Sequence, residues 1–230
     1  MVTTSDLPGL GAQDVTARRL VNSRFPPIRL FDDVASEEDF EAIYAVQALT
    51  NPRLRAEAGD ITHIEPGEIP FGIRGCSYAV APFTHINPDG SRFSDGHFGV
   101  LYLADTVDPA LAEVCHHQEA YWRRVPDLHY DRFVMRDLAY RFSEQGILDG
   151  LTVHEDDPIY NPDDYSASRP LGLALRNAGV PGLRYRSVRA PGHTCWALFT
   201  PRPVGDVVQC GHYELIWQAG KLAANRLSAV

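Results

Sequence analysis

The sequence predicts an α+β fold. Three observations predict this class. Helical patterns are inserted between strand-like segments, several short strand-like segments cluster toward the C-terminal end, and the 230 residues contain no internal repeat or low-complexity tract. Strands that cluster in this way, instead of alternating regularly with helices, favour α+β over a doubly wound parallel sheet.

Composition and length describe an ordinary globular chain. Hydrophobic residues make up 44% and charged residues 22% of the sequence, and a chain of this length can bury a core of its own. The sequence contains no run of 18 apolar residues, so no membrane span is expected. The first residues lack the basic segment and the apolar segment of a secretory signal. The four cysteines show no C-x-x-C spacing. We interpret them as reduced thiols of a cytoplasmic protein.

The charge balance argues against binding of nucleic acid. The formal net charge is −9, and an acidic chain repels nucleic acid unless it carries a basic stripe. Arg184, Arg186 and Arg189 lie close together but are too few to form such a stripe. Binding of a small anionic ligand stays possible, provided that several arginines meet in one pocket.

The first part of the chain predicts few regular elements. Residues 1–23 are expected to be loosely structured. The segment PPIRLFDDV at 26–34 is apolar around Arg29 and predicts a strand. A helix is predicted over 36–49, because Ser36 begins a variant of the capping box and apolar residues follow at helical spacing.

The middle of the chain predicts two strands and a helix. The segment CSYAVAPFTHI at 76–86 is expected to be a strand interrupted by a proline, and VLYLAD at 100–105 a short buried strand. A helix is predicted over 108–122, since Asp108 can act as its N-cap and Pro109 occupies its first helical position.

The C-terminal half predicts mostly strands. LHYDRFVMRDLAYRF at 128–142 is rich in aromatic and β-branched residues and predicts a strand. A helix is expected over 165–179, with Gly179 as its terminator. Four short strands are predicted after it, in GLRYRSVR, TCWALFT, DVVQCG and HYELIWQ.

Several common reaction mechanisms have no sequence signature here. The chain lacks a G-x-G-x-x-G turn after a strand, a phosphate-binding G-x-x-x-x-G-K-[ST] loop and a G-x-S-x-G elbow. Glu113 and His117 are four residues apart on a predicted helix and could share a metal ion, but the sequence offers no third ligand. No metal is therefore expected.

Arg92, Tyr102 and Glu113 occupy a turn, a strand and a helix in quick succession. Each has an ordinary role available, as an ion pair, a core aromatic residue and a solvated carboxylate. Together they also suit cleavage of the N-glycosidic bond in a dinucleotide. A guanidinium binds a diphosphate, an aromatic ring stacks on the base, and a carboxylate stabilises positive charge on the ribose. From the residues alone this is one chemistry among several.

At these residues the chain resembles the RES-domain family, which is named for an arginine, a glutamate and a serine. The order and spacing of the motifs carry the resemblance from about residue 26 to 217. The matching residues are Arg29 in PPIRLF, Arg92 in GSRFS, Tyr102 in LYLAD, Glu113 in ALAEV, Ser166 in NPDDYSASRPLGLALR, and Ser187 with Arg189 in GLRYRSVR. Phe93 and Ser94 replace the Trp-Asn that commonly follows the second arginine of the family.

The resemblance also implies a domain organisation. It suggests an N-terminal extension over 1–25 and a single RES domain over 26–230. About sixty residues separate Arg29 from Arg92, more than in compact members of the family, so the segment 36–75 is interpreted as an insert. The implied fold is similar to that of ADP-ribosyltransferases, with a split β core and flanking helices.

The activity implied by the resemblance is degradation of NAD by a toxin. Characterised members release nicotinamide by phosphorolysis, which gives ADP-ribose phosphate, or by hydrolysis. Phosphorolysis is favoured here, with NAD as substrate and inorganic phosphate as co-substrate. The implied partner is an antitoxin with an Xre-type helix-turn-helix that neutralises the toxin and binds DNA, and a homodimer is a further arrangement open to the chain.

The resemblance carries site residues with it. The implied catalytic residues are Arg29, Tyr102, Glu113 and Ser166. Those expected to bind NAD are Arg29, Arg92, Tyr102, Ser166 and Ser187. Two alternatives stay open. The same site could transfer ADP-ribose to a protein, or the domain could be a catalytically silent module that only binds an antitoxin.

Overall fold

A computed structural model describes residues 2–24 and 59–229, together with the isolated positions 31, 32, 34, 36, 38, 39 and 44. The eight strands of this part of the chain form one sheet, and helices pack against it. The strands are β1 Asp14–Asn22, β2 Leu101–Ala104, β3 Tyr130–Ser143, β4 Leu148–Asp149, β5 Gly182–Arg186, β6 Thr194–Leu198, β7 Val204–Gln218 and β8 Lys221–Ala229. The helices of at least two turns are α1 Cys76–Thr84, α2 Val107–Trp122 and α3 Ser168–Asn177.

The sheet consists of two halves joined at one point. Its order is β4-β5-β6-β2-β1-β3-β7-β8, and all neighbours are antiparallel except β4 and β5. The central strand β1 pairs with β3 along its whole length, from Asp14 to Asn22, but meets β2 through the single pair of Arg18 and Ala104. The predicted α+β class, with a split β core and flanking helices, is confirmed.

Strand β1 corrects the expectation that residues 1–23 are loosely structured. Ala17 is fully buried in the core on one face of the sheet, and Leu20 is buried on the other face. A strand at the centre of a sheet covered on both faces needs apolar residues on both sides. The adjacent Arg18 and Arg19 interrupt the apolar pattern of the strand, which is why the sequence concealed it.

Helix α1 shows that the strand predicted over 76–86 is wrong. Cys76, Ala79, Val80 and Phe83 are buried, and their i, i+3, i+4, i+7 spacing is that of a helix face. Pro82 inside the helix cannot donate to the carbonyl four residues earlier. The hydroxyl of Tyr140 donates to that carbonyl instead, at 3.1 Å.

Helix α2 confirms the helix predicted over 108–122. It begins at Val107, with Thr106 instead of Asp108 at the N-cap position, and Asp108 lies in the first turn, where its charge favours the helix dipole. Its apolar face packs on β1, β3 and β7, where Leu111, Val114 and Cys115 contact the cluster built on Leu20, Met135 and Leu215.

The remaining predictions are mostly confirmed, with shifted bounds. Strands β2 and β3 lie where 100–105 and 128–142 predicted them, and α3 begins three residues later than predicted. DVVQCG and HYELIWQ form the single long strand β7, and β8 was not predicted. Most of the strand predicted over 26–34, including Arg29, lies outside the described residues, as does most of the helix predicted over 36–49.

Among the described helices, none combines the length and apolar character needed to cross a membrane.

Candidate active site

A cleft of about 520 Å³ opens where the two halves of the sheet separate. Residues of β1 and β2 form its floor and α2 forms one wall. The loop before β2, Tyr165, the segment at and after the end of β5, and Cys195 of β6 complete the lining. Its volume lies in the range of sites that bind small molecules and cofactors. Three of the described residues that line it are tyrosines, Tyr102, Tyr165 and Tyr185.

Arg92 lines this cleft and is 6% exposed. Its Nη1 donates to the backbone oxygens of Ile159, at 3.2 Å, and Asn161, at 2.8 Å. Its guanidinium carbon lies 4.7 Å from the ring centroid of Tyr165, in a cation–π contact. The buried Nη2 has no hydrogen-bond partner among the described residues. Because an unpaired buried N–H is costly, this nitrogen is suited to receive an anionic ligand.

The first turn of α3 holds the loop that carries Arg92. Ser168 is fully buried, and its hydroxyl donates to the backbone oxygen of Arg92 at 2.6 Å. Arg169 donates from Nε to the oxygen of Ser91, at 3.1 Å, and from Nη2 to that of Asp89, at 2.9 Å. These bonds fix the backbone of the arginine loop, residues 89–93, against the helix.

Gly172 allows α3 to approach the arginine loop this closely. A Cβ atom at this position would lie 2.0 Å from the backbone oxygen of Phe93, well inside van der Waals contact. The Phe93 oxygen belongs to the backbone and cannot rotate away from that Cβ, so this position requires glycine.

Tyr102 fixes the same loop from the side of β2. Its hydroxyl oxygen accepts a hydrogen bond from the backbone N–H of Phe93 at 3.0 Å and lies 2.8 Å from the hydroxyl of Ser91. Burial raises the pKa of Tyr102 to about 12, so the hydroxyl stays protonated at neutral pH. The hydroxyl therefore has a structural task, while its ring contributes to the lining of the cleft.

Glu113 projects from α2 into the cleft. Its Oε1 lies 3.0 Å from Nε2 of His117, one turn along the helix, and its Oε2 lies 3.9 Å from Nε of Arg189. Burial alone would raise the pKa of Glu113, but the hydrogen bond with His117 and the charges of His117, Arg92 and Arg189 outweigh it, and the pKa lies below its ordinary value. Glu113 is a carboxylate at neutral pH.

Arg189 lies beside Glu113, with 14% of its side chain exposed. Its Nη2 donates to the backbone oxygen of Pro162, at 2.6 Å, and to Oδ1 of Asp163, at 3.1 Å. Its Nε is buried and forms no hydrogen bond within the described part of the chain. Like Arg92, it keeps one buried guanidinium nitrogen without a hydrogen-bond partner among the described residues, and in Arg189 this nitrogen lies 3.9 Å from the carboxylate of Glu113.

The structure brings some of the other predicted residues to the cleft and not others. Ser187 lines the cleft, and its hydroxyl accepts from the backbone N–H of Ala190 at 3.1 Å. Ser166 is exposed, donates its hydroxyl to Asp164 at 2.9 Å, and is not one of the lining residues. Arg29 lies outside the described residues.

Several residues that form or support the site were missed from the sequence. Arg18 of β1 lines the cleft, and the only signal for it is the arginine pair in the apolar segment VTARRLV. The neighbouring Arg19 donates from Nη1 to the backbone oxygen of Tyr102 at 3.2 Å, across the gap between the halves of the sheet. Ser168 was missed because the sequence does not show which serine of YSAS is buried.

A metal ion shared by Glu113 and His117 would find no third protein ligand in the described part of the chain. Within those residues, no three His, Cys, Asp or Glu side chains gather in a way that could hold an ion. The two side chains are hydrogen bonded to each other instead.

Comparison with known proteins gives this architecture a family. The family model of the RES domain matches residues 69–218, roughly two thirds of the chain. The uncharacterised protein y4oC of Sinorhizobium fredii (strain NBRC 101917 / NGR234) is 30% identical over 208 residues, which cover 89% of this chain and 84% of that protein. A chain in the crystal structure of the M. tuberculosis MbcT–MbcA toxin–antitoxin complex aligns over 87% of this chain and 86% of its own length. Its TM-score is 0.41 and its identity 12%, a likeness too distant to carry an argument. The match to the family model and the identity with y4oC show that the chain belongs to the RES-domain family.

Proposed function

We propose that the protein cleaves the nicotinamide–ribose bond of NAD, the activity that the RES-family resemblance implies. The observation that carries the proposal is the ionised Glu113, which lies in the cleft next to Arg189 and in the field of Arg92. A site that cleaves a dinucleotide needs cations for the diphosphate and an anion for the ribosyl cation, and this cleft offers both signs of charge.

The arginines suit the diphosphate of NAD. Arg92 and Arg189 each have one buried guanidinium nitrogen without a hydrogen-bond partner among the described residues. A phosphate oxygen would satisfy such a group, and a guanidinium keeps its charge at any physiological pH. Tyr102, Tyr165 and Tyr185 supply aromatic rings for contact with a base or the nicotinamide.

Glu113 suits the bond-breaking step. When the bond between the ribose C1′ and the nicotinamide nitrogen breaks, its electron pair returns to the positively charged ring, and nicotinamide leaves neutral. No general acid is needed for this departure. Positive charge develops on the ribose, and a fixed carboxylate stabilises it because the carboxylate was already charged and oriented before the reaction.

The acceptor that captures the ribosyl cation is proposed to be inorganic phosphate. A phosphate oxygen forms the new bond to C1′, and the products are ADP-ribose phosphate and nicotinamide. Ser187, which lines the cleft, and Arg189, beside Glu113, are the groups we expect near that phosphate. Water as acceptor would give ADP-ribose, and a protein side chain would give an ADP-ribosylated protein.

The biological role proposed with this chemistry is that of a cytoplasmic toxin that depletes NAD. An Xre-type antitoxin is the proposed partner and would block the cleft. Because β1 is the central strand of the sheet, we further propose that the functional domain includes residues 14–22 and does not begin at residue 26.

The test of the proposal is nicotinamide release by the purified protein, measured by chromatography. Glu113→Gln removes the charge with little change in shape and should lower the rate about 100-fold or more. Glu119→Gln is the matched control on the same helix, since Glu119 pairs with Arg123 at 2.7 Å and does not line the cleft. Equal rates for the parent and Glu113→Gln would refute the proposal.

A further inference from the structure

A buried carboxylate lies beneath the cleft and has no part in the proposed bond cleavage. Asp137 of β3 is 2% exposed. A carboxylate in such a place is stable only when its charge is paired and its oxygens are hydrogen bonded. Both conditions are met here by one side chain, that of Arg18.

The pair has the two-pronged geometry that guanidinium and carboxylate groups favour. Nε of Arg18 donates to Oδ1 of Asp137 at 2.9 Å, and Nη2 of Arg18 donates to Oδ2. Two of the five N–H groups of the guanidinium are used in this way, and three are left. Among the described residues, Nη1 of Arg18 has no hydrogen-bond partner, and 26% of the side chain is exposed.

Arg18 is placed at the point where the halves of the sheet meet. It forms the only residue pair between β1 and β2, with Ala104. Leu20, two residues later on the same face of β1, is directly opposite Asp137 in the ladder and packs against α2. Arg18 and Asp137 are therefore on the face of the sheet that α2 covers, and Arg18 lines the cleft.

We propose that Asp137 is a positioning residue. It fixes the plane of the Arg18 guanidinium so that the N–H groups of Nη1 face the cleft and bind a phosphate group of a diphosphate ligand. The identity of the ligand as NAD rests on the proposed function, but binding of a diphosphate does not.

The direction in which one substitution changes the affinity for an anion separates this role from a purely electrostatic one. Asp137→Asn removes a negative charge close to an anion site, and electrostatics alone then predicts tighter binding of an anion. Loss of the two-pronged contact frees the guanidinium to rotate, and a positioning role predicts weaker binding. The two effects oppose each other, so the direction of the change is informative.

The experiment is calorimetric titration of the full chain with ADP, which carries a diphosphate and cannot be turned over. Asp137→Asn is expected to weaken ADP binding about tenfold. Arg18→Lys keeps the positive charge but loses the planar guanidinium, and it should weaken ADP binding by a similar factor. The double variant should bind no more weakly than either single variant, because both changes remove one interaction. Asp206→Asn is the matched control, since Asp206 forms the same two-pronged pair with Arg74 away from the cleft.

Each outcome decides the inference. Unchanged or tighter ADP binding by Asp137→Asn would overturn it, as would the absence of ADP binding by the parent protein. If Asp137→Asn does not fold, Arg18→Lys carries the test, and unchanged affinity in that variant overturns the inference. ADP affinities that change as expected in a protein that leaves NAD intact would support it while refuting the proposed function.

Discussion

Removal of the Ser168 hydroxyl tests how the site is held together. Ser168 is fully buried in the first turn of α3, and its hydroxyl donates to the backbone oxygen of Arg92 at 2.6 Å. Ser168→Ala deletes this donor with almost no change in volume. The carbonyl of Arg92 then loses its bond to the helix, and the arginine loop loses one of its attachments.

The size of the effect follows from that single unpaired carbonyl. Leaving a buried acceptor without its donor costs about 1–3 kcal/mol. In a domain of this size, each kcal/mol lowers the melting temperature by about 2–4 °C, so a fall of about 2–12 °C is expected. Because the same loop carries the guanidinium of Arg92, the apparent affinity for NAD should fall together with stability.

Ser166→Ala is the matched control. Ser166 is exposed, and its hydroxyl bonds only to the side chain of Asp164 in the described residues. Its loss should change stability by no more than about 0.5 kcal/mol. Thermal unfolding and nicotinamide release are measured for both variants. A larger loss of activity in Ser166→Ala than in Ser168→Ala would refute this reasoning and support the catalytic role that the resemblance implies for Ser166.

Three further predictions concern packing, pH and the loop. Gly172→Ala should destabilise the protein by about 1–3 kcal/mol in denaturant unfolding, because its Cβ would clash with backbone, whereas Gly67→Ala, with open space around it, should not. The pKa of Glu113 is depressed, so the rate should be kept as the pH falls to the ordinary glutamate range and be lost only below it. His117→Gln removes a cause of that depression, and the acid limb of the pH–rate profile should move to higher pH. An acid limb that does not move in His117→Gln would contradict the claim that His117 lowers the pKa of Glu113. Tyr102→Phe leaves the backbone N–H of Phe93 in the arginine loop unpaired and should lower the melting temperature. A melting temperature equal to that of the parent would refute the structural task of the Tyr102 hydroxyl.

The sequence was informative where local spacing determines the outcome. Arg92, Tyr102 and Glu113 lie on consecutive turn, strand and helix, and such a unit brings its members together with little help from the rest of the chain. The helix start around Thr106 to Pro109 and the apolar run of β2 are local signals of the same kind. In the structure, the side chains of Arg92, Tyr102 and Glu113 all line one cleft.

The sequence was misleading where a distant residue satisfies a local defect. A strand interrupted by Pro82 was predicted over 76–86, yet the segment is a helix. The Tyr78 carbonyl that Pro82 leaves free accepts from the hydroxyl of Tyr140, 62 residues away in sequence. The arginine pair of β1 concealed a central strand, because the partner of Arg18 is Asp137 on another strand. Such pairings depend on the complete fold and have no pattern in the local sequence.

Selection among similar residues was also beyond the sequence. Ser166 and Ser168 both stand near the start of one helix, and only the packing of α3 against the arginine loop decides which hydroxyl is buried. The resemblance led to Ser166 by motif. The contact with Arg92, across 76 residues of sequence, shows that Ser168 holds the arginine loop, while the catalytic role expected for Ser166 stays a prediction.

Phosphorus NMR of NAD incubated with the purified protein tests the central claim most directly. Samples with and without inorganic phosphate are compared, and Glu113→Gln serves as the inactive reference. Conversion of NAD to ADP-ribose phosphate only when phosphate is present is the predicted result. Free ADP-ribose in both samples would keep the proposed bond cleavage but make water the acceptor. NAD that remains unchanged in both samples would contradict the claim that this cleft cleaves it.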